Sequence, residues 1–208
     1  MKALLINGSP HARGCTFSAL EEVAKELNKC GVDSEILQIG VKPISGCIVC
    51  GQCRKNDGHC VIKDDGVNEA IDKIKAADAV VLGSPVYYAG VSGQMKSCLD
   101  RVFFAGGGNF AQKLGAAVVS CRRGGSVSTF DTLNHYFTIC NMPVVPSQYW
   151  NSVHGAMPGE AKQDVEGLQT MRTLGYNMAW LLKCIELGKA DGIVPFSESE
   201  KQITNFIR

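Results

Sequence analysis

Apolar and polar positions fall along this chain in blocks that predict strands and helices by turns. Ala3-Leu4-Leu5-Ile6 is an uncharged apolar run, as expected of a strand buried on both faces. Asn7 to Gly14 interrupts it with two glycines, a proline and several hydrogen-bonding side chains, the composition of a loop. From Cys15–Thr16 a helix is expected, because Phe17, Leu20, Val23, Ala24 and Leu27 recur at helical spacing. Val32 to Ile39 alternates and predicts a second strand. Val67, Ala70, Ile71 and Ile74 mark a short helix, and Asp78 to Gly83 a buried strand running into Ser84–Gly90. Met95, Leu99, Val102 and Phe103 mark a third helix, ended by Gly106-Gly107-Gly108. Lys113 to Ser120 predicts a fourth strand, 126–140 a fourth helix, and Met142–Val145 the start of a fifth strand. A polar loop bearing aromatic residues is expected over 146–163. Leu168, Met171, Leu174, Met178, Leu181, Leu182 and Ile185 then mark a long last helix. The tail from Lys189 is more polar and is expected to pack loosely.

Strands that alternate with helices and carry no charge in their centres predict a parallel sheet covered on both faces. The expected fold is a doubly wound, five-stranded, three-layer α/β/α domain spanning 1–208. It carries one insertion, at 40–65, that has neither period but holds four cysteines. Ligands of such sheets sit at the carboxyl ends of the strands. Three loops leave those ends, at 8–16, 84–92 and 120–126, and all are rich in Gly, Ser, Tyr or Arg. Their convergence points to a single site.

Composition narrows the class. The 208 residues carry a net charge of +1, so nothing suggests nucleic acid or a charged membrane as a partner. No apolar run approaches the ~18 residues of a membrane span. The run Ala3–Ile6 is too short for a signal peptide. A cytoplasmic protein is therefore expected, in which the ten cysteines are reduced, metal-bound or catalytic and do not form a disulfide framework.

Strand, Gly-rich loop and helix N-terminus together form an anion site, because the first N–H groups of the helix lack internal partners. The alternative is an ordinary turn whose Ser and Thr only cap the helix. The loop is not G-x-G-x-x-G, and Gly14 is followed by Cys15-Thr16 with no Lys, so dinucleotide and P-loop patterns are both absent. A single phosphate remains, and a mononucleotide such as FMN fits. Its ring would lie along Pro85-Val86-Tyr87-Tyr88, unless the tyrosines simply pack at a strand end. Arg122 and Arg123 would stabilise charge on a reduced flavin or meet a nicotinamide phosphate, or else form a solvated surface pair.

The segments ALLINGSPHARGCT, VVLGSPVYYAGVSGQMKSCLDR and the Gly-containing loop after Val118-Val119-Ser120 resemble the flavodoxin-fold NAD(P)H-dependent FMN reductase family. The resemblance covers the expected sheet, residues 2–145. It implies a flavodoxin-like fold, with the FMN phosphate at Ser9, His11, Cys15, Thr16 and Phe17. It also implies an isoalloxazine ring along Pro85, Val86, Tyr87 and Tyr88, with Ser120 and Arg122 in the third loop. His11 stands where the family commonly has Arg, and Cys15 where it commonly has a polar residue.

Cys47-x2-Cys50-x2-Cys53-x6-Cys60 is the second chemical signal. Three cysteines at this spacing can converge on one metal centre, and a fourth completes four thiolates. The compact triple suits an iron–sulfur cluster better than zinc; free thiols or a redox disulfide are the other readings. The spacing resembles that of iron–sulfur flavoproteins, a branch of the same fold that pairs FMN with a [4Fe–4S] cluster. The scattered Cys30, Cys98, Cys121, Cys140 and Cys184 are expected mostly to fill the core. Trp150 is expected to pack or to roof a flavin, and His154 to be structural or a proton donor.

These expectations add up to an FMN-dependent oxidoreductase that takes hydride from NAD(P)H. Its acceptor would be a quinone, flavin, nitro compound or oxygen, and the active form a homodimer or homotetramer. The alternatives are an electron-transfer iron–sulfur flavoprotein serving a protein partner, and a redox or metal sensor.

Overall fold

The computed structural model describes residues 1–39, 41–196 and 202–204. Gly40 and parts of the polar tail lie outside them. Five parallel strands stand in the spatial order β2 (Asp33–Gln38), β1 (Lys2–Asn7), β3 (Ala79–Tyr87), β5 (Leu114–Cys121), β6 (Ser152–His154). The two-residue β4 (Gly90–Val91) folds back antiparallel on the end of β3. The helices are α1 (Cys15–Lys29), α2 (Val67–Lys75), α3 (Gly93–Gly106), α4 (Ser126–Ile139) and α5 (Val165–Ala190). This is the flavodoxin-like order, with the direction of winding reversing between β1 and β3.

The apolar runs form strands because both of their faces have somewhere to go. Ala3 and Leu5 of β1 face a core shared with α1 and α5. Leu4 and Ile6 face a second core shared with α2 and α3. All four are completely buried. The α1 side chains Leu20, Val23 and Leu27 and the α5 side chains Met171, Leu174 and Met178 close the first layer. A charge at any of these strand positions would lose its hydration without a partner.

The fifth strand differs from the expectation. Met142–Val145 touches β5 only through a bridge at Val144, with Gly115 donating to Pro143 O at 2.9 Å and Val145 to Gly115 O at 2.8 Å. Pro146 has no N–H to continue the ladder. The chain swings out through exposed Tyr149 and Trp150. It returns at Asn151, whose O accepts from Val119 N at 2.9 Å and whose Nδ2 donates to Ala117 O at 3.0 Å. The paired strand is therefore Ser152–His154, inside the segment that the polarity pattern assigns to a loop.

β5 packs closely against α4. A Cβ on Gly115 would lie 2.5 Å from the Phe137 ring. That ring is fully buried and stands edge-on to Phe103. Gly115→Ala is expected to lower stability by about 1–3 kcal/mol, from overpacking against a ring that cannot retreat. Urea denaturation would show it as a lower midpoint with an unchanged slope.

Candidate flavin and metal site

The three expected loops meet at the β1/β3 switch point and are tied to one another pairwise. In the first loop, Ser9 N donates to Asn7 Oδ1 at 3.2 Å and His11 N to Ser9 Oγ at 3.1 Å. From β2, Gln38 Nε2 donates to Ser9 O at 2.7 Å and Gln38 Oε1 accepts from Asn7 Nδ2 at 2.6 Å. The loop is thus shaped by its neighbours before any ligand arrives. Gly14 begins α1 without a side-chain cap, so no side chain competes for the first helical N–H groups. Ser9 and Thr16 are buried, Phe17 and Cys15 half-buried, and His11 exposed. Arg13, which the sequence presents only as a loop residue, holds its guanidinium 5.7 Å over the Phe17 ring. It adds a cation to a loop without Lys.

The second loop is a tight hairpin. Val86 pairs with Val91 and Tyr87 with Gly90, leaving Tyr88 and Ala89 as a two-residue turn with φ of 51° and 58°. Left-handed backbone at two residues with a Cβ costs roughly 1–3 kcal/mol each and persists only where the surroundings enforce it. Here Ser92 N donates to Ser84 Oγ at 3.1 Å and Ser92 Oγ to Gly8 O at 2.7 Å, tying the second loop to the first. Gly125, itself at φ 85°, lies so close that a Cβ there would stand 2.7 Å from Ala89 Cα. Ser128 Oγ donates to Ala89 O at 2.6 Å. These contacts tie the second loop to the third. Thr16 Oγ1 and Ser120 Oγ, 2.7 Å apart and buried, tie the third to the first. Pro85 and Val86 are half-buried, Tyr87 is 45% exposed, and the Tyr88 side chain is wholly in solvent. Arg122 and Arg123 are exposed and make no ion pair among the described residues.

The cysteine loop lies beside α3. Cys47, Cys50, Cys53 and Cys60 line one small pocket with Arg101 and Phe104. Positive φ at Val49 (52°) and Gly51 (69°) turns the chain between the closely spaced cysteines. Cys53 is buried, Cys47 and Cys60 half-buried and Cys50 exposed; all four are free thiols. Asn68 of α2 clamps Cys60, accepting from its N–H at 2.8 Å and donating to its O at 2.9 Å. Arg101 of α3, its side chain fully buried, donates from Nε to Cys60 Sγ at 3.3 Å and from Nη2 to Ile62 O at 2.9 Å, and forms an ion pair with Asp65. Burial opposes the Arg101 charge, but Asp65 and Cys60 outweigh it and the guanidinium pKa is raised.

Among the described residues no three His, Cys, Asp or Glu groups converge on a single-ion position. Four thiols around one pocket are nevertheless the donor set of a four-iron cluster, which spreads its thiolates over different irons. The residues therefore fit a cluster better than a lone zinc ion.

The model of the family described as NADPH-dependent FMN reductase matches residues 1–156. The chain belongs to this family. An iron-sulfur flavoprotein of Methanocaldococcus jannaschii is 36% identical over 194 residues, covering 89% of this chain and all of the relative. One of Methanosarcina thermophila is 33% identical, covering 89% of this chain and 97% of the relative. Among solved structures, an archaeal flavodoxin superposes with a TM-score of 0.60 at 18% identity, covering 88% of this chain and 99% of that one. This FMN reductase family member thus stands on the iron–sulfur flavoprotein branch.

In this reductase-family chain a further segment closes on the first loop, one that the sequence does not mark as part of the site. Gly155 N donates to Cys121 O at 3.0 Å, and Cys15 Sγ reaches Met157 O at 3.2 Å. The Cys15 thiol is thereby turned to the 155–161 segment, which leaves its N–H as the group it can offer a phosphate. His154 is held structurally: its N–H donates to Asp164 Oδ2 at 2.7 Å, and Asp164 also caps α5 through Gly167 N. Trp150 is half exposed and packs against Tyr149 with ring centroids 5.0 Å apart. Of the scattered cysteines, Cys98 and Cys121 are buried, and burial pushes the Cys98 thiol up to about 12. Cys184 departs from the core-filling expectation and is exposed on the last helix.

One carboxylate also shapes the 155–161 segment from within. Met157 N and Ala156 N donate to Glu160 Oε2 at 2.9 and 2.7 Å and lower the Glu160 pKa. A depressed carboxylate stabilises the fold above its unfolded pKa and loses that contribution as pH falls through the folded value. Amide exchange at Ala156 and Met157 is therefore expected to quicken as pH drops below the ordinary Glu range, beyond the intrinsic pH dependence. Glu160→Gln should reproduce the loosening at neutral pH.

Proposed function

We propose that this protein is an FMN-dependent oxidoreductase that accepts hydride from NAD(P)H and passes electrons to a small acceptor such as a quinone, flavin, nitro compound or oxygen. The observation that carries this reading is the pairwise locking of three loops at the β1/β3 switch point, around a helix start that no side chain caps. Ser9 Oγ and the N–H groups of Cys15, Thr16 and Phe17 would take the phosphate. Arg13 and His11 would face its charge at the solvent edge. Pro85, Val86, Tyr87 and Tyr88 offer the flavin ring an uncharged wall, and Ser120 and Arg122 border it from the third loop. The flavin supplies the hydride and electron chemistry when bound; the chain orients it and holds its surroundings fixed. No Ser–His–Asp arrangement is needed for that.

Cys47, Cys50, Cys53 and Cys60 would hold a [4Fe–4S] cluster. That supports a second reading, an electron-transfer flavoprotein serving a redox protein. The net charge of +1 argues against a small acidic carrier. A redox or metal sensor built on this loop is the remaining alternative. The wholly exposed Tyr88 of the second loop supports a homodimer or homotetramer in which a second copy covers the flavin. No described helix is long and apolar enough to cross a membrane, and a cytoplasmic location would keep Cys47, Cys50, Cys53 and Cys60 reduced for metal binding.

Anaerobic purification followed by an absorption spectrum and addition of NADPH tests the reading. Flavin bands that NADPH bleaches rapidly are the expected result. Flavin that reduces only with dithionite or a partner protein would favour the carrier, and absence of flavin would sink both. Ser9→Ala combined with Thr16→Ala is expected to weaken FMN binding by about one to two orders of magnitude, because Ser9 loses a hydroxyl bond to a charged group worth roughly 1.5 kcal/mol and Thr16 loses the hydroxyl that ties the phosphate loop to Ser120. Unchanged FMN titration in a folded double variant would mean that the loop is only a turn.

A further inference from the structure

Arg101 is the charged side chain that the described fold buries completely. A buried charge is tolerated only when paired and hydrogen-bonded. The ion pair with Asp65 meets the first need, and the carbonyls of Ser45 and Ile62 take further N–H groups. The remaining bond goes from Nε to Cys60 Sγ at 3.3 Å. An apolar side chain at this position of α3 would pack beside Phe104 and Ala105 without the cost of desolvating a guanidinium. The position instead places a fixed positive charge against one sulfur of the four-cysteine pocket.

We propose that Arg101 sets the reduction potential of the metal centre held by Cys47, Cys50, Cys53 and Cys60, acting through Cys60 as a positioning residue and not as a ligand. The inference rests on the cluster reading of the cysteine loop. Reduction adds negative charge to a thiolate-bound centre. A cationic N–H donated to one of its sulfurs stabilises the reduced form more than the oxidised form and raises the potential. The water-poor surroundings of the guanidinium strengthen that interaction. Asp65 works in the opposite sense, since its carboxylate partly cancels the charge that Arg101 presents. The pair therefore makes a prediction of sign. Removing the cation lowers the potential, and removing the anion raises it.

The test uses the full chain, purified anaerobically, reconstituted with ferrous iron and sulfide, and assayed for iron and labile sulfide. A dye-mediated redox titration followed by electron paramagnetic resonance then gives the midpoint of each variant. Arg101→Gln is expected to shift the midpoint downward and Asp65→Asn upward. Arg101→Lys, which keeps the charge but loses the planar fork, should fall between Arg101→Gln and the natural chain. A purely structural role would lower cluster occupancy in both variants and would not split the direction of the shift. Equal midpoints, or shifts of the same sign, overturn the inference. If Arg101→Gln fails to retain iron, the Asp65→Asn result decides: an upward shift supports the inference and no shift overturns it. A natural chain that takes up no iron overturns the cluster reading and this inference with it. A natural chain that takes up iron, with variants that do not move its potential, overturns the inference alone.

Discussion

Gly8 donates its N–H to Gly83 O at 2.8 Å, which carries the β1–β3 ladder one residue beyond the end of β1. Both partners are glycines for a packing reason. A Cβ on Gly8 would stand 2.7 Å from Met95 of α3, and one on Gly83 would stand 2.7 Å from Leu20 of α1. The two helices can therefore press onto opposite faces of the sheet directly beneath the site. Helix starts and loop ends are placed by that closeness. A wider gap between α1 and β3 would pull Thr16 from Ser120, and a wider gap between α3 and β1 would pull Ser92 from Gly8.

Local strain in the second-loop hairpin makes sense in this setting. Tyr88 and Ala89 have left-handed backbones that isolated peptides would relax. Ser128 and Gly125 hold them from α4, and Ser84 and Ser92 hold the hairpin base. The strain is carried by contacts from the start of α4 and from a hairpin base that Ser92 ties to Gly8, so the hairpin is rigid because the rest of the fold is rigid. A wall fixed in advance loses little entropy when a flat ring settles against it.

Much of this was legible in the sequence, and the rest was hidden for identifiable reasons. Ala3–Ile6, Asp78–Gly83 and Lys113–Ser120 announce buried parallel strands because no charge interrupts them. The loop compositions at 8–16, 84–92 and 120–126 mark the ligand end of the sheet. β6 could not be read, because three residues carry no period and Pro143 and Pro146 mark the approach to it as loop. Thr16–Ser120 and Arg101–Cys60 could not be read either: their partners lie 104 and 41 positions apart, and only the fold brings them together. Arg13 was visible as a loop cation, but its place over Phe17 depends on the turn at Gly14. The 155–161 segment has the polarity of surface chain, and its place against the first loop rests on Cys15 and Cys121.

The interrupted last strand has one more consequence. An open sheet exposes a row of unpaired backbone groups at each edge, and long apolar edges recruit other chains into growing aggregates. Here β6 offers three residues, preceded by a proline-bounded detour, and so presents too short a template for sheet extension. The opposite edge, β2, carries Asp33 and Glu35; Lys73 and Lys2 hold the Glu35 carboxyl below its usual range and keep that edge charged. A chain with many apolar residues and an open five-stranded sheet is thereby guarded against self-association through its edges.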